Sequence, residues 1–466
     1  MVKKTGRWLN ELPISLKIVL SFLFVIIIGS ILLSLPISQK PESNASYFDH
    51  LFTTVSMVCV TGLYTKPVYE TYSHFGQWIN ILLIQVGGLG IMTIVAVIFM
   101  QLGKKVSLRE EFTIEEALNW SSSSDFSQFI KTVVKYTFSI ELVGLIALSL
   151  YFIPELGIKN GLFTSLYLSV SAFNNAGFDN FGAVSLQPYA TNFIVNIVIS
   201  SLIILGGIGF SVWLDVSKNI RLFFTQNTLT WSSVKQQYRK LQIHTQLVIN
   251  VSLFFILSGT LLFLLSEWNN PATIGSFSFG NKILISYFQS VTMRTAGFAT
   301  VDYTNIRLFS LLMLSGLMFV GGSPGGTAGG VKTSTIALVG KLISTEAKGR
   351  NKVNYKYHTI SFDLIRHALV ILTAFILILF SGIALIALFD PESPFEYIVF
   401  EVFSALGTVG VTANLTPILS RYSQTILMLL MFIGRLGPIT IFTALGNRKR
   451  KNKKEVTYAK GRILIG

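Results

Sequence analysis

Thr408-Val409-Gly410-Val411 interrupts sequence otherwise apolar enough for a membrane interior, and it has three counterparts: Cys59-Val60-Thr61-Gly62, Asn174-Asn175-Ala176-Gly177 and Arg294-Thr295-Ala296-Gly297. The glycines Gly62, Gly177, Gly297 and Gly410 stand about 115 residues apart. Each belongs to a short non-helical stretch, so the chain reads as four quarters of one structure. The repetition is geometric more than literal, because side-chain identity between the quarters is poor.

Outward from these stretches the composition points to a bilayer: 51% of residues are hydrophobic, 13% are charged, and mean hydropathy is +0.61. Several apolar runs exceed the length that a soluble core would hide. The first, 16–35, follows Lys3, Lys4 and Arg7, a layout shared with secretory signal peptides. Its length and the lack of a small-x-small site after it favour a retained membrane helix. Further spans are predicted at 79–102, 130–153, 193–216, 247–266, 308–343, 364–389 and 425–445, eight in all. Between alternate spans, 47–58, 161–173, 282–293 and 395–406 are too short to cross and fit re-entrant pore helices. The predicted fold is an all-α integral membrane protein of four pseudo-repeats, each a span, a re-entrant pore helix, a filter loop and a span, around one central pore. Repeat boundaries fall at 1–128, 129–244, 245–363 and 364–446, the third holding a broken helix, and 447–466 is a basic tail.

Orientation follows from the lysines and arginines, of which 28 of 37 fall at the N-terminus, in the loops between quarters or in the tail. By the positive-inside rule these segments and both termini face the cytoplasm, and the half-helices enter from outside. The net charge of +15 is spread over these loops, which argues against nucleic-acid binding. A single cysteine, Cys59, excludes an intrachain disulfide and a cysteine metal cluster, and five scattered histidines offer no zinc spacing. No catalytic constellation is apparent at membrane depth, so the reading is not an enzyme.

Backbone that is neither helix nor sheet cannot face lipid, so four such stretches must line water or pack in protein. Glycine permits positive φ and close backbone approach, which lets carbonyls turn inward and replace a cation's hydration shell. Thr408-Val409-Gly410 resembles the Thr-Val-Gly of potassium-channel filters. The stretches contain no Asp or Glu, against a carboxylate ring. The negative C-terminal dipole ends of the half-helices would favour cations at the centre. Glycines serving only helix packing would leave the four adjacent half-helices unexplained.

Across its length the chain resembles the membrane subunit of bacterial Ktr potassium transporters, the KtrB/KtrD group of the Trk/Ktr/HKT superfamily. The matching segments are Val58-Cys59-Val60-Thr61-Gly62-Leu63, Phe173-Asn174-Asn175-Ala176-Gly177-Phe178, Met293-Arg294-Thr295-Ala296-Gly297-Phe298 and Leu406-Gly407-Thr408-Val409-Gly410-Val411. Together they are specific; singly they are weak. In that superfamily glycine in all four repeats goes with potassium permeation, and serine in the first goes with sodium preference in a plant branch. The resemblance implies a plasma-membrane homodimer with one pore per protomer, carrying potassium and no covalent cofactor. It also implies a cytosolic regulatory ring of KtrA/KtrC type, with ATP/ADP or NAD on the ring and not on this chain.

The sixth span is broken by 321–330, whose Gly321, Gly322, Gly325, Gly326, Gly329 and Gly330, with Ser323, Pro324 and Thr327, make a continuous helix unfavourable. A mobile loop beneath the filter is predicted. Val331 separates Gly330 from Lys332 and breaks the phosphate-loop ending. In the Ktr family the corresponding segment restricts ion flow, with Lys332 beside it. Arg435 sits mid-span, where a cation is costly and must find a cavity, carbonyls or carboxylates; the resemblance places it across from this loop as an electrostatic barrier. Arg294, three residues before a filter glycine, is expected to turn away from the path and pair with Glu401. The loops 104–125, 218–240 and 341–358 are candidate docking surfaces, and the tail 448–454 a lipid contact. The alternative to a channel-like pore is a carrier, which would need intramembrane carboxylates such as Glu141 or Asp215.

Overall fold

The computed structural model describes residues 12–90, 126–225 and 231–446. The end of the second predicted span, the 104–125 loop and the basic tail lie outside the described residues. Four helices are long and apolar enough to cross a bilayer: α1 (Ile14–Ser34), α4 (Phe126–Leu156), α9 (Ile243–Glu267) and α13 (Phe362–Phe389). At ~1.5 Å rise per residue, 20 or more residues cover the hydrocarbon core. Their outward faces carry large exposed apolar side chains, among them Phe24, Leu150, Phe254 and Leu388, as lipid-facing surfaces require.

Four short helices dip between them. They are α2 (Tyr47–Val58), α5 (Ile158–Phe173), α10 (Phe279–Thr292) and α14 (Phe395–Gly407), each 12 to 16 residues and too short to cross. A capping box of Ser46 and Asp49 starts α2. Helices α5 and α10 begin three residues before their predicted starts, since the polar Lys159-Asn160 and Gly280-Asn281 pairs take first-turn positions where backbone N–H groups need no helical partner. Among the described residues the remaining helices of nine residues or more are α3 (His74–Leu89), α6 (Phe193–Gly207), α7 (Phe210–Thr225), α8 (Trp231–Lys240), α11 (Leu308–Phe319), α12 (Thr333–Glu346), α15 (Arg421–Leu436) and α16 (Pro438–Gly446).

Three predicted spans are not continuous helices. The fourth, 193–216, bends by 101° between α6 and α7, and the eighth, 425–445, by 96° between α15 and α16. The hinges are Gly209 at φ 96° and Gly437 at φ 82°, the second followed by a proline without an N–H. The sixth splits into α11 and α12 around a non-helical loop. Among the described residues the tally is therefore four crossing helices, or six if each bent pair counts as one span. The fold is also not purely helical: β1 (Asn354–Tyr355) and β2 (His358–Thr359) form a small antiparallel ribbon after α12.

Candidate ion-conduction site

The four short helices end in the same way. After α2, α5 and α14 the backbone makes a Schellman turn, with N–H groups of Thr61, Ala176 and Val409 donating to the carbonyls of Ser56, Ser171 and Ser404, each at 2.8 Å. The turn places one residue in the left-handed region, normally glycine. Here it is Val60 (φ 56°), Asn175 (φ 58°) and Thr408 (φ 52°), and after α10 it is Thr295 (φ 68°). Each stands two residues before its glycine, and Gly62, Gly177, Gly297 and Gly410 have positive φ themselves. Left-handed geometry is rare in β-branched residues and costs about 1–3 kcal/mol per residue, so the surroundings must impose it.

The glycines meet in a ring. A Cβ on Gly62 would lie 2.8 Å from the Ala176 carbonyl oxygen, and one on Gly177 would lie 2.6 Å from that of Ala296. One on Gly297 would strike the Val409 carbonyl, and one on Gly410 the Thr61 carbonyl. Each quarter thus lays the carbonyl preceding its glycine against the glycine of the quarter before it in the chain, and the order closes on itself, the first quarter's carbonyl meeting the fourth's glycine. A side chain at any of the four would displace backbone. The short helices aim their C-terminal ends, which carry partial negative charge, at this ring.

The residues one place before each glycine come together in the ring, and of those two places before, the Asn175 amide lies 3.4 Å from Thr295 Oγ1; Cys59, Asn174 and Arg294, three places before, do not join it. Cys59 packs in the apolar core. Asn174 points outward, its amide donating to Gln85 Oε1 at 2.9 Å and Glu141 Oε1 at 3.0 Å. Arg294 also points away from the glycine ring, but the predicted pairing with Glu401 is not found. Its guanidinium donates to Ser252 Oγ at 3.1 Å on α9, while Glu401 accepts from Thr416. The cause is direction: Arg294 leaves the turn toward the outer helix of its own quarter, away from α14. Short-helix side chains also hold the strand leaving each glycine. Asp49 accepts from Thr65 at 2.9 Å, Thr164 from Asn180 at 2.8 Å, and Gln289 donates to Thr300 at 2.8 Å.

The glycine-rich stretch lies against this ring. Val320 and Val331 bridge in parallel, and Ser323 and Thr333 share a hydroxyl hydrogen bond of 2.9 Å. Ser323 N–H and Thr327 N–H donate to the carbonyls of Gly207 and Gly206 at 2.9 and 3.2 Å, and Phe210 N–H donates to Gly325 at 2.9 Å. The α6–α7 bend therefore supplies partners for the loop's backbone groups. A Cβ on Gly321 would lie 3.2 Å from the Thr295 methyl group, and Gly329 abuts Thr408. Arg435 donates to the carbonyls of Thr327, Gly87 and Gly88, tying the loop to α3. Lys332 Nζ donates to the Ala328 carbonyl at 2.6 Å. A cavity of about 610 Å³ adjoins the loop, lined by Gly326, Ala328, Lys332, Arg435, Phe22 and Phe375 among others.

The profile of the family described as TrkH, cation transport protein, matches residues 14–451. The chain belongs to the TrkH family. It is 35% identical to the Ktr system potassium uptake protein B of Bacillus subtilis over 99% of both chains. It is 34% identical to the potassium/sodium uptake protein NtpJ of Enterococcus hirae over 100% of this chain and 99% of that one. The crystal structure of the potassium transporter TrkH from Vibrio parahaemolyticus superposes with a TM-score of 0.70 at 17% identity, covering 94% of this chain and 84% of that one. That likeness speaks for the fold. In this TrkH-family chain, sequence reasoning missed the left-handed residues, the Gln85–Asn174–Glu141 cluster and the Arg294–Ser252 contact. One signal was legible: serine recurs six residues before three of the four glycines.

Proposed function

We propose that this chain takes up potassium through a channel-like pore whose selectivity filter is the glycine ring. The observation carrying the reading is the closed set of four carbonyls, Thr61, Ala176, Ala296 and Val409, each against the glycine of the neighbouring quarter that precedes it around the ring. Backbone carbonyls in this arrangement replace the hydration shell of a cation without side-chain charge. The two full-length relatives are named for potassium or potassium and sodium uptake, which supports the choice of ion. The loop 321–330, with Lys332 and Arg435, acts as the gate because it abuts the ring and bounds the cavity beside it.

In this reading the four quarters follow the boundaries 1–128, 129–244, 245–363 and 364–446, with 447–466 a tail. The protein is a plasma-membrane homodimer with cytoplasmic termini. A cytosolic nucleotide-binding ring of KtrA/KtrC type regulates it, in line with the relative named as part of a Ktr system. A carrier would need a free carboxylate in the path, whereas Glu141 is engaged by Asn174 behind the ring. The test is selectivity of uptake. Gly62→Ser and Gly297→Ser each put a side chain onto a neighbouring carbonyl, and the potassium-to-sodium preference is expected to fall about tenfold, the equivalent of ~1.4 kcal/mol. An unchanged preference in both variants removes the assignment of these glycines to a filter.

A further inference from the structure

Six residues before the ring glycines stand Ser56, Ser171, Val291 and Ser404. They do different things. Ser56 Oγ accepts the N–H of Gly62 at 3.0 Å, and Ser404 Oγ accepts the N–H of Gly410 at 3.0 Å. The Ser171 hydroxyl is buried without a partner, and Val291 has none to offer. Quarters two and three instead carry the outward struts, Asn174 to Glu141 and Arg294 to Ser252. Since Gly62 and Gly410 are neighbours in the ring, hydroxyl bracing covers one side and strut bracing the other.

We infer that Ser56 and Ser404 are specificity-determining positioning residues that orient two of the four filter carbonyls. The Thr61 carbonyl and the Gly62 N–H belong to one planar trans peptide and point in opposite directions. A hydroxyl that holds the N–H away from the ring holds the Thr61 oxygen in it. That oxygen lies against Gly410 and 3.3 Å from where a Cβ on Gly297, across the ring, would sit. The same logic applies to the Val409–Gly410 peptide, whose carbonyl lies against Gly297. Without the hydroxyl, a buried N–H loses its acceptor, and rotating the peptide plane to recover one turns the carbonyl out and the N–H toward the cation.

The inference rests on the filter reading, and the experiment separates the two. Full-length chain in proteoliposomes is assayed for rubidium uptake, with potassium and sodium as competitors, and normalised to inserted protein. Ser56→Ala and Ser404→Ala are expected to lower the potassium-to-sodium preference about three- to tenfold each, the value of one hydrogen bond. Ser171→Ala leaves it unchanged, and Ser56→Thr, which keeps the oxygen, restores most of it. Should Ser56→Ala insert poorly, Ser56→Cys, with a weaker acceptor of similar size, must give an intermediate preference. If Gly62→Ser alters the preference while the serine variants do not, or if all three alanine variants shift it equally, the bracing role is wrong and the filter stands. If neither Gly62→Ser nor Gly297→Ser has an effect, both fall.

Discussion

Val60, Thr295 and Thr408 hold backbone angles that their β-branched side chains disfavour, and Asn175 holds the same geometry at the fourth equivalent place. Four repetitions at one offset from a glycine mark a geometry the fold imposes, and such strain is maintained where function needs a particular carbonyl direction. Close by, Asp179 follows Gly177 by two residues and is half-buried. Burial pushes its carboxyl up to about 6, although Ser185 and the Phe181 N–H both donate to it. Its charge is present above about that pH and is lost as pH falls through it. On the proposed orientation Asp179 faces the outside, where an anion draws cations toward the ring. Potassium uptake is therefore expected to decline about two- to threefold as external pH drops from 7 to 5, a modest effect for one screened charge. In Asp179→Asn, initial uptake rates across that range should be flat and low; a decline as steep as in the unaltered chain would assign the pH effect to another group.

At the scale of elements, the loop between α11 and α12 replaces helical hydrogen bonds with bonds to the bend between α6 and α7. Two irregular segments thus satisfy each other at membrane depth, where neither could face lipid. Arg435 spreads its charge over carbonyls of the loop and of α3, so it pins the loop, and on the proposed reading it also places a cation beside the path. Arg435→Ala removes both effects. Basal potassium uptake by the chain alone is expected to rise on the order of tenfold, which takes only ~1.4 kcal/mol off the barrier. Shortening the loop while leaving Gly321 and Gly330 in place should act in the same direction. Should both well-inserted variants conduct no faster than the unaltered chain, the loop is structural and control of flow lies elsewhere.

Over the whole molecule, a ring of four quarters in one chain must join its last quarter to its first. The ion pair of Arg421, at the start of α15, with Asp49 in α2 makes that join at 2.7 Å. Asp49 is deeply buried, and it also accepts from Ser46 and from Thr65, three residues beyond Gly62. The Arg421 guanidinium lies over the Phe48 ring at 4.7 Å. Removing the arginine leaves a buried carboxylate with fewer donors, at a cost of about 1–3 kcal/mol. Arg421→Ala should lower the thermal unfolding temperature of the purified protein in detergent, with Arg421→Lys between the two. An unfolding temperature equal to that of the unaltered chain would show that the closure depends on apolar packing alone.

Local sequence determined the membrane character, the placement of the half-helices and the glycine spacing. Apolar run length is contiguous information, and burying a helix in lipid demands it directly. The start of α2 at Tyr47 agrees with its predicted start, and Ser46 and Asp49 form a capping box there. The Gly321–Gly330 stretch was legible as non-helical for the same kind of reason. What tertiary structure decided was everything that depends on partners far along the chain. The 96° and 101° bends occur at glycines that sequence alone reads as tolerable within a span, and Gly209 bends where Pro324 and Gly325 press against it. Local preference opposes a left-handed Val60, which is held by the Schellman turn and by packing in the core around it. Arg294 found Ser252 and not Glu401 because side-chain direction out of a turn depends on backbone angles that one sequence does not reveal. The ring order itself, which puts Gly62 beside Gly410 some 348 residues away, exists only once all four quarters pack, since no local preference encodes which carbonyl will lie against which glycine.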